Sequence, residues 1–283
     1  MFLKLARTRF FLALGIAGAF AGSLPAHADL LSDIQQKHEI TVATEARFAP
    51  YEFVQDGKIV GYGTEMLHMI LAKLPGVKVN QLDLPFQGIM PGLTAKKWDL
   101  GGTSIVITKA RSEHFAFTIP VGDATVVVLK RKGDTTITRA EDLVGKTVGT
   151  EAGSAQLQII HTYSDELQKQ GGKGVAQIKE YTDFDGAYSD LAAGRIQAVV
   201  QAISNLGPLL KARPDTFEIV NQTIGPKTYY AWAVRNEPDT ASLREFLNQG
   251  LLELKRSGKM AELQRQWFGF TMDLPDTSPT PAM

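Results

Sequence analysis

The sequence predicts an α/β fold built on mostly parallel sheets. Two observations carry that expectation. Strand-like and helix-like segments alternate along almost the whole chain, which is the pattern of helices packed on parallel sheets. Where a strand is strongest, in TVVVLKR (Thr125–Arg131), the apolar run is nearly continuous, as in a sheet covered on both faces. The length of 283 residues allows one large domain or two modest ones.

The elements follow in order. ITVATE (Ile40–Glu45) is a short strand, and EMLHMILAKL (Glu65–Leu74) sets Met66, Met69, Ile70 and Leu74 on one helical face, with His68 expected to be partly buried among them. VKVNQL (Val77–Leu82) alternates as a strand, FQGIMPGLTAKK suggests a short helix, and DLGGTSIVIT returns to strand. After TVVVLKR the cycle repeats: KTVGTE strand, SAQLQIIHTYSDELQKQ helix, AQIKEY strand, FDGAYSDLAAG helix ended by Gly194, and IQAVVQ strand. YYAWAVR (Tyr229–Arg235) is a late strand. The helix after it carries the stripe Leu243, Phe246, Leu247, Leu251 and Leu254. The proline-rich end is expected to be a disordered tail.

The first 28 residues stand apart. Lys4, Arg7 and Arg9 precede the apolar run FFLALGIAGAF, and Ala26-His27-Ala28 supplies small residues for cleavage. The run is short for a bilayer span, so an export signal is expected, with Asp29 as the first mature residue. Its removal takes away three of 30 basic residues and none of the 30 acidic ones, leaving a net charge of −3. No basic footprint for nucleic acid is present. The absence of cysteine excludes disulfides, thiolate catalysis, Cys-based zinc sites and a lipoprotein anchor. The five histidines show no metal-ligand spacing, and G-x-S-x-G, H-E-x-x-H and G-x-G-x-x-G are all missing, so no metal, cofactor or catalytic residue is assigned. An acidic pair such as Glu151 with Asp185 is not distinguished from the other carboxyls.

Three places can hold a solute. In SIVITKAR (Ser104–Arg111), Arg111 follows a strand and is either a solvated charge or a bidentate clamp on a carboxylate. In VGTEAGSAQ, Gly153 allows close backbone approach. The N–H groups of Ser154, Ala155 and Gln156 then open a helix, at the positive end of its dipole. In TEARFAPYEF, Glu45 and Phe48 lie just past the first strand, and Phe86 holds the matching place after the next one. Two such aromatics can stack on a planar ligand or enclose a cation.

Taken together, these segments resemble the family-3 periplasmic solute-binding proteins of polar amino-acid ABC transporters. TEARFAPYEF resembles the family's first-strand motif, GKIVGYGTEMLHMI its G-F-D-x-D-L helix, and PFQGIMPGLTAKKWDLGGTSIVITKARSEHFAFTIP its central block with I-T-x-x-R. DLVGKTVGTEAGSAQ, YSDLAAGRIQAVVQ and the closing Lys255–Phe268 match further blocks. The resemblance implies a two-lobed, type II periplasmic-binding-protein fold with two hinge strands. One lobe would hold residues 29–123 and 229–270, the other residues 124–228, with residues 271–283 as the tail. It further implies a periplasmic monomer that binds an amino acid or derivative between its lobes and serves a membrane permease and its ATPase. Arg111 would grip the ligand carboxylate, helped by the turn at Gly153, Ser154 and Ala155, with Phe48 and Phe86 around the ligand body.

Two departures bear on the ligand. The strand ending at Arg111 carries Ser104, but Val106 stands where the family has a hydroxyl for the ligand's α-amine. Ala202 stands where it has an aspartate for the same group. A buried ammonium without partners is costly, so Glu45 is expected to supply the negative charge from another side, as in ectoine-type binders of cyclic zwitterions. The alternative reading is an enzyme on the same fold, resembling cyclohexadienyl dehydratases. It would need a placed general acid and a second cationic anchor.

Overall fold

A computed structural model describes residues 29–283, and the expected export signal lies outside the described residues. The chain opens with α1 (Leu30–Lys37), β1 (Glu39–Thr44), an antiparallel ribbon of β2 (Arg47–Phe48), β3 (Glu52–Gln55) and β4 (Lys58–Val60), and α2 (Tyr62–Leu71). Next come β5 (Lys78–Asp83), α3 (Phe86–Thr94), β6 (Leu100–Val106), α4 (Lys109–Ser112), β7 (Phe115–Phe117) and β8 (Gly122–Asp123). The middle of the chain forms β9 (Val126–Arg131), β10 (Thr147–Glu151), α5 (Ala155–Gly171), β11 (Gln177–Tyr181) and α6 (Phe184–Ala192). It ends with β12 (Ala198–Ala202), α7 (Ile203–Ala212) and β13 (Phe217–Ile224). β14 (Tyr229–Arg235), α8 (Ala241–Arg256) and α9 (Lys259–Phe268) complete the elements.

These strands build two main sheets, one per lobe. The first has the order β5-β1-β6-β14-β7, with β8 also on β14; the second has the order β11-β10-β12-β9-β13. Each repeats one plan. A parallel trio (β5-β1-β6 and β11-β10-β12) is extended by antiparallel strands, β14 in one sheet and β9 in the other. In a parallel trio all carboxyl ends point one way, so the loops after β1, β6 and β10 gather at the crevice between lobes.

The chain passes between the sheets twice, from β8 to β9 and from β13 to β14. The two passages are tied to each other: Ala124 N–H donates to Thr228 O and Thr228 Oγ donates to Ala124 O, both at 2.9 Å. Two crossing strands tied to each other in this way have the geometry of a hinge.

Burial explains why the helices sit where they do. Leu243, Leu247 and Leu251 of the predicted α8 stripe are fully buried, each contributing about 1.5–3 kcal/mol on transfer from water. Phe246 and Leu254 are partly buried beside them. On α2, Met66 and Ile70 are buried as expected, but Met69 is 36% exposed, and Tyr62, Leu67 and Leu71 complete the inner face instead. His68 is also exposed, contrary to expectation, because it shares the outward face of α2 and meets Gln81 Oε1 at 3.0 Å. Residues 271–283, expected to be disordered, have neither helix nor strand, yet they hold specific contacts. Leu274 is buried, its carbonyl accepts from Lys255 Nζ, and Met283 O accepts from Lys109 N–H at 2.6 Å.

Candidate functional site

At the crevice the two lobes meet around a small cavity. It is lined by Glu45, Phe48, Phe86, Ser104, Val106 and Arg111 on one side, Glu151, Ser154, Ala155 and Gln156 on the other, and Tyr230 at the hinge. Nine of these eleven residues are sequence-predicted site residues; Glu151 and Tyr230 are not.

Arg111 is set by local structure. Thr108 caps α4, its side chain accepting from Arg111 N–H at 3.2 Å, so the helix begins where β6 ends and turns the guanidinium back over the strand. Nη1 donates to Val106 O at 2.9 Å, and Nη2 donates across the crevice to Gly153 O at 3.0 Å. The guanidinium carbon stands 5.3 Å from the centre of the Phe86 ring, in cation–π contact. Burial lowers its pKa to about 10, which leaves it charged at neutral pH. Phe86 therefore supports the arginine from below. Phe48 packs edge-on to Tyr230, centroids 5.6 Å apart, and lies 5.9 Å from Phe184 of the other lobe.

The opposite wall is the start of α5. Gly153 takes φ +73°, a left-handed conformation that glycine adopts without strain, and this turns the chain from β10 into the helix. Ser154 is the N-cap: its Oγ accepts from Leu157 N–H at 3.1 Å and donates to Glu151 O at 2.7 Å. Ser154, Ala155 and Gln156 line the cavity at the start of a 17-residue helix, a favourable place for negative charge, but the Ser154 N–H is spent on Glu151 O at 3.3 Å. Gln156 spends its side chain within the wall, donating to Gln201 Oε1 at 2.9 Å and to the Tyr230 hydroxyl at 3.0 Å.

Two acids complete the site. Glu45, in the loop after β1, and Glu151, the last residue of β10, are each 2% exposed and face each other from opposite lobes. Burial pushes both carboxyls well up, and the nearness of Glu45 raises Glu151 further. Glu151 Oε1 receives no donor from the protein. Behind the first-lobe wall, Ser104 is held by a third buried acid: Ser104 N–H and Oγ both donate to the Glu52 carboxyl at 3.2 Å.

Val106 lines the cavity with methyl groups, as its place in the sequence implies. Ala202 does not line it; it is fully buried at the end of β12, and its N–H donates to Gln201 Oε1 at 2.7 Å. Gly153 contributes its carbonyl to Arg111 instead of an N–H to the cavity. Glu151 was passed over because one carboxyl among thirty carries no periodic signal. Its place immediately before the Ala-Gly-Ser turn was the available clue.

Among the described residues no group of three or more His, Asp or Glu is placed to hold a metal ion, and no helix is long and apolar enough to cross a membrane. The sequence of residues 40–270 matches a family profile, that of bacterial extracellular solute-binding proteins, family 3. The chain belongs to this family. Among similar proteins, the L-cystine-binding protein of Escherichia coli is 26% identical over 242 residues, covering 85% of this chain and 86% of its own. Arginine-binding protein 1 of the same organism is 28% identical over 234 residues, covering 81% and 90%. An arginine-binding protein from T. maritima superposes with a TM-score of 0.73 at 33% identity, covering 85% of this chain and 99% of that one. An ancestral arginine-binding protein bound to arginine gives 0.71 at 32%, covering 82% and 99%. All four are named as binding proteins, so the dehydratase alternative has no support among them, and the protein is a solute-binding protein.

Proposed function

We infer that the protein is the periplasmic receptor of an amino-acid ABC importer, exported by residues 1–28 and acting as a monomer that hands its solute to a permease and ATPase. The solute carries one carboxylate and positively charged nitrogen, as a basic amino acid or its derivative does. One observation carries this reading: Arg111, Glu45 and Glu151 line the same buried cavity. The carboxylate pairs with Arg111 and the N-terminus of α5, and the cationic groups pair with the two acids. With both acids ionised the three side chains sum to one negative charge, which a solute of net charge +1 balances. Because the anchors come from both lobes, such a solute stabilises the closed arrangement over the open one. The arginine-binding relatives support the class.

A second reading is favoured by Val106. With methyl groups where an α-ammonium needs a partner, a cyclic zwitterion such as ectoine, whose single delocalised cation meets Glu45, also fits. Thermal shift and calorimetry with L-arginine, L-lysine, L-histidine, L-glutamine, L-cystine and ectoine decide between them. The first reading expects a net-cationic solute, L-arginine or L-lysine, to bind tightest. Tightest binding of a net-neutral member would overturn it, and ectoine in that place would favour the second reading.

A further inference from the structure

Two carboxylates cannot face each other in a dry crevice with nothing positive between them. Glu45 approaches from the first lobe and Glu151 from the second, each 2% exposed, and the protein aims no donor at Glu151 Oε1. Whatever sits between them must be a proton or a cation, and the two compete for one place.

We propose that Glu45 and Glu151 form an interlobe proton site, and that a net-cationic solute enters by expelling that proton. This rests on the receptor reading above for the identity of the solute, but not for the existence of the site. The exchange balances simply. The O–H bond of Glu151 breaks, its proton leaves to water and buffer, and a positively charged nitrogen group of the solute takes its place between two carboxylates. A zwitterion of net charge zero balances Arg111 and Glu45 alone, so it leaves the proton on Glu151. The site thus ties ligand charge to proton count.

The surroundings determine the sign. Asp183, the N-cap of α6, raises both acids; Asp83 raises Glu45 while Arg47 lowers it, and Arg111 lowers Glu151. Desolvation chiefly, and to a lesser degree the nearby negative charge, holds the Tyr188 and Tyr230 hydroxyls neutral. Desolvation is the largest influence on either acid. A site that holds a proton before the solute arrives and loses it on binding makes affinity rise with pH, up to about tenfold per unit when one proton is released.

Calorimetry of L-arginine binding in buffers of low and high ionisation enthalpy counts the protons. About one released per solute is expected in the wild type, and near zero in Glu151→Gln, whose amide keeps the donor in place. Binding with no proton release in the wild type would overturn the site and leave the receptor reading standing. The infrared carbonyl band of neutral carboxyls tests the site without any solute. Glu52 is also buried and contributes to that band, so Glu52→Gln identifies its share. The remaining share should vanish in Glu151→Gln, in Glu45→Gln, or on adding L-arginine to the wild type. If L-arginine fails to bind, the solute reading fails, and the variant spectra still decide the site. A band unchanged in both Glu151→Gln and Glu45→Gln would overturn it.

Discussion

The two walls of the crevice are built on the same sheet plan but prepared differently. The first-lobe wall is finished: Arg111 is bonded to Val106 O and backed by the Phe86 ring, and Ser104 is held by Glu52. The second-lobe wall is left open in one respect, since its Glu151 keeps an oxygen that no protein donor reaches. One lobe thus presents a fixed grip, while the other presents charge that only a partner in the crevice can settle.

That contrast can be broken or sharpened by experiment. Arg111→Ala removes the fixed grip. Affinity for the best solute should fall by about a hundredfold or more in calorimetry, since charge-assisted bonds in a shielded site contribute roughly 1.5–3 kcal/mol each. Unchanged affinity would mean that the crevice does not hold a carboxylate there. Val106→Ser tests the missing hydroxyl on the same wall. It should improve binding of ordinary L-amino acids, by about three- to tenfold for one hydrogen bond, and leave ectoine unaffected. Adding Ala202→Asp should contribute less than the family pattern suggests, because Ala202 stays behind Gln201. Glu52 is expected to act on stability and not on affinity. Burial raises its carboxyl from 4.5 to about 8, so the folded state binds a proton that the unfolded chain has lost over that interval. Its stabilising effect is therefore complete in acid and lost as pH rises towards 8, at no more than about 1.4 kcal/mol per pH unit. The melting temperature should decline over that range, and Glu52→Gln should flatten the decline. An identical slope in the variant would assign it to other groups.

Much of this was legible in the residues. TVVVLKR, IQAVVQ and YYAWAVR read as strands because continuous burial leaves an unbroken apolar run, and the α8 stripe read as a helix because only one face is covered. β13 and α7 were missed for opposite reasons: β13 carries polar Glu218, Asn221 and Gln222 on a half-exposed edge, and α7 contains Gly207 and Pro208, which weaken any helical signal. At the site, Arg111 stood out because its neighbours form a motif. Glu151 did not, since its role comes from packing two lobes together, and no local pattern encodes which distant residue a side chain will face. His68 and Met69 erred through a rotation of about one residue in the helical face, the ordinary uncertainty of reading a stripe by spacing.

The extended C-terminal segment suggests a use in sensing. Its last residue, Met283, accepts a hydrogen bond from Lys109 in the first lobe and lines a pocket with Ile159 and Tyr163 of α5 in the second. The chain end therefore straddles the moving boundary. A fluorophore attached there would change surroundings whenever the lobes part, converting solute capture into an optical signal without any label in the crevice. For the same reason, an affinity tag on that end perturbs the very motion being measured, and one is better placed elsewhere on the surface.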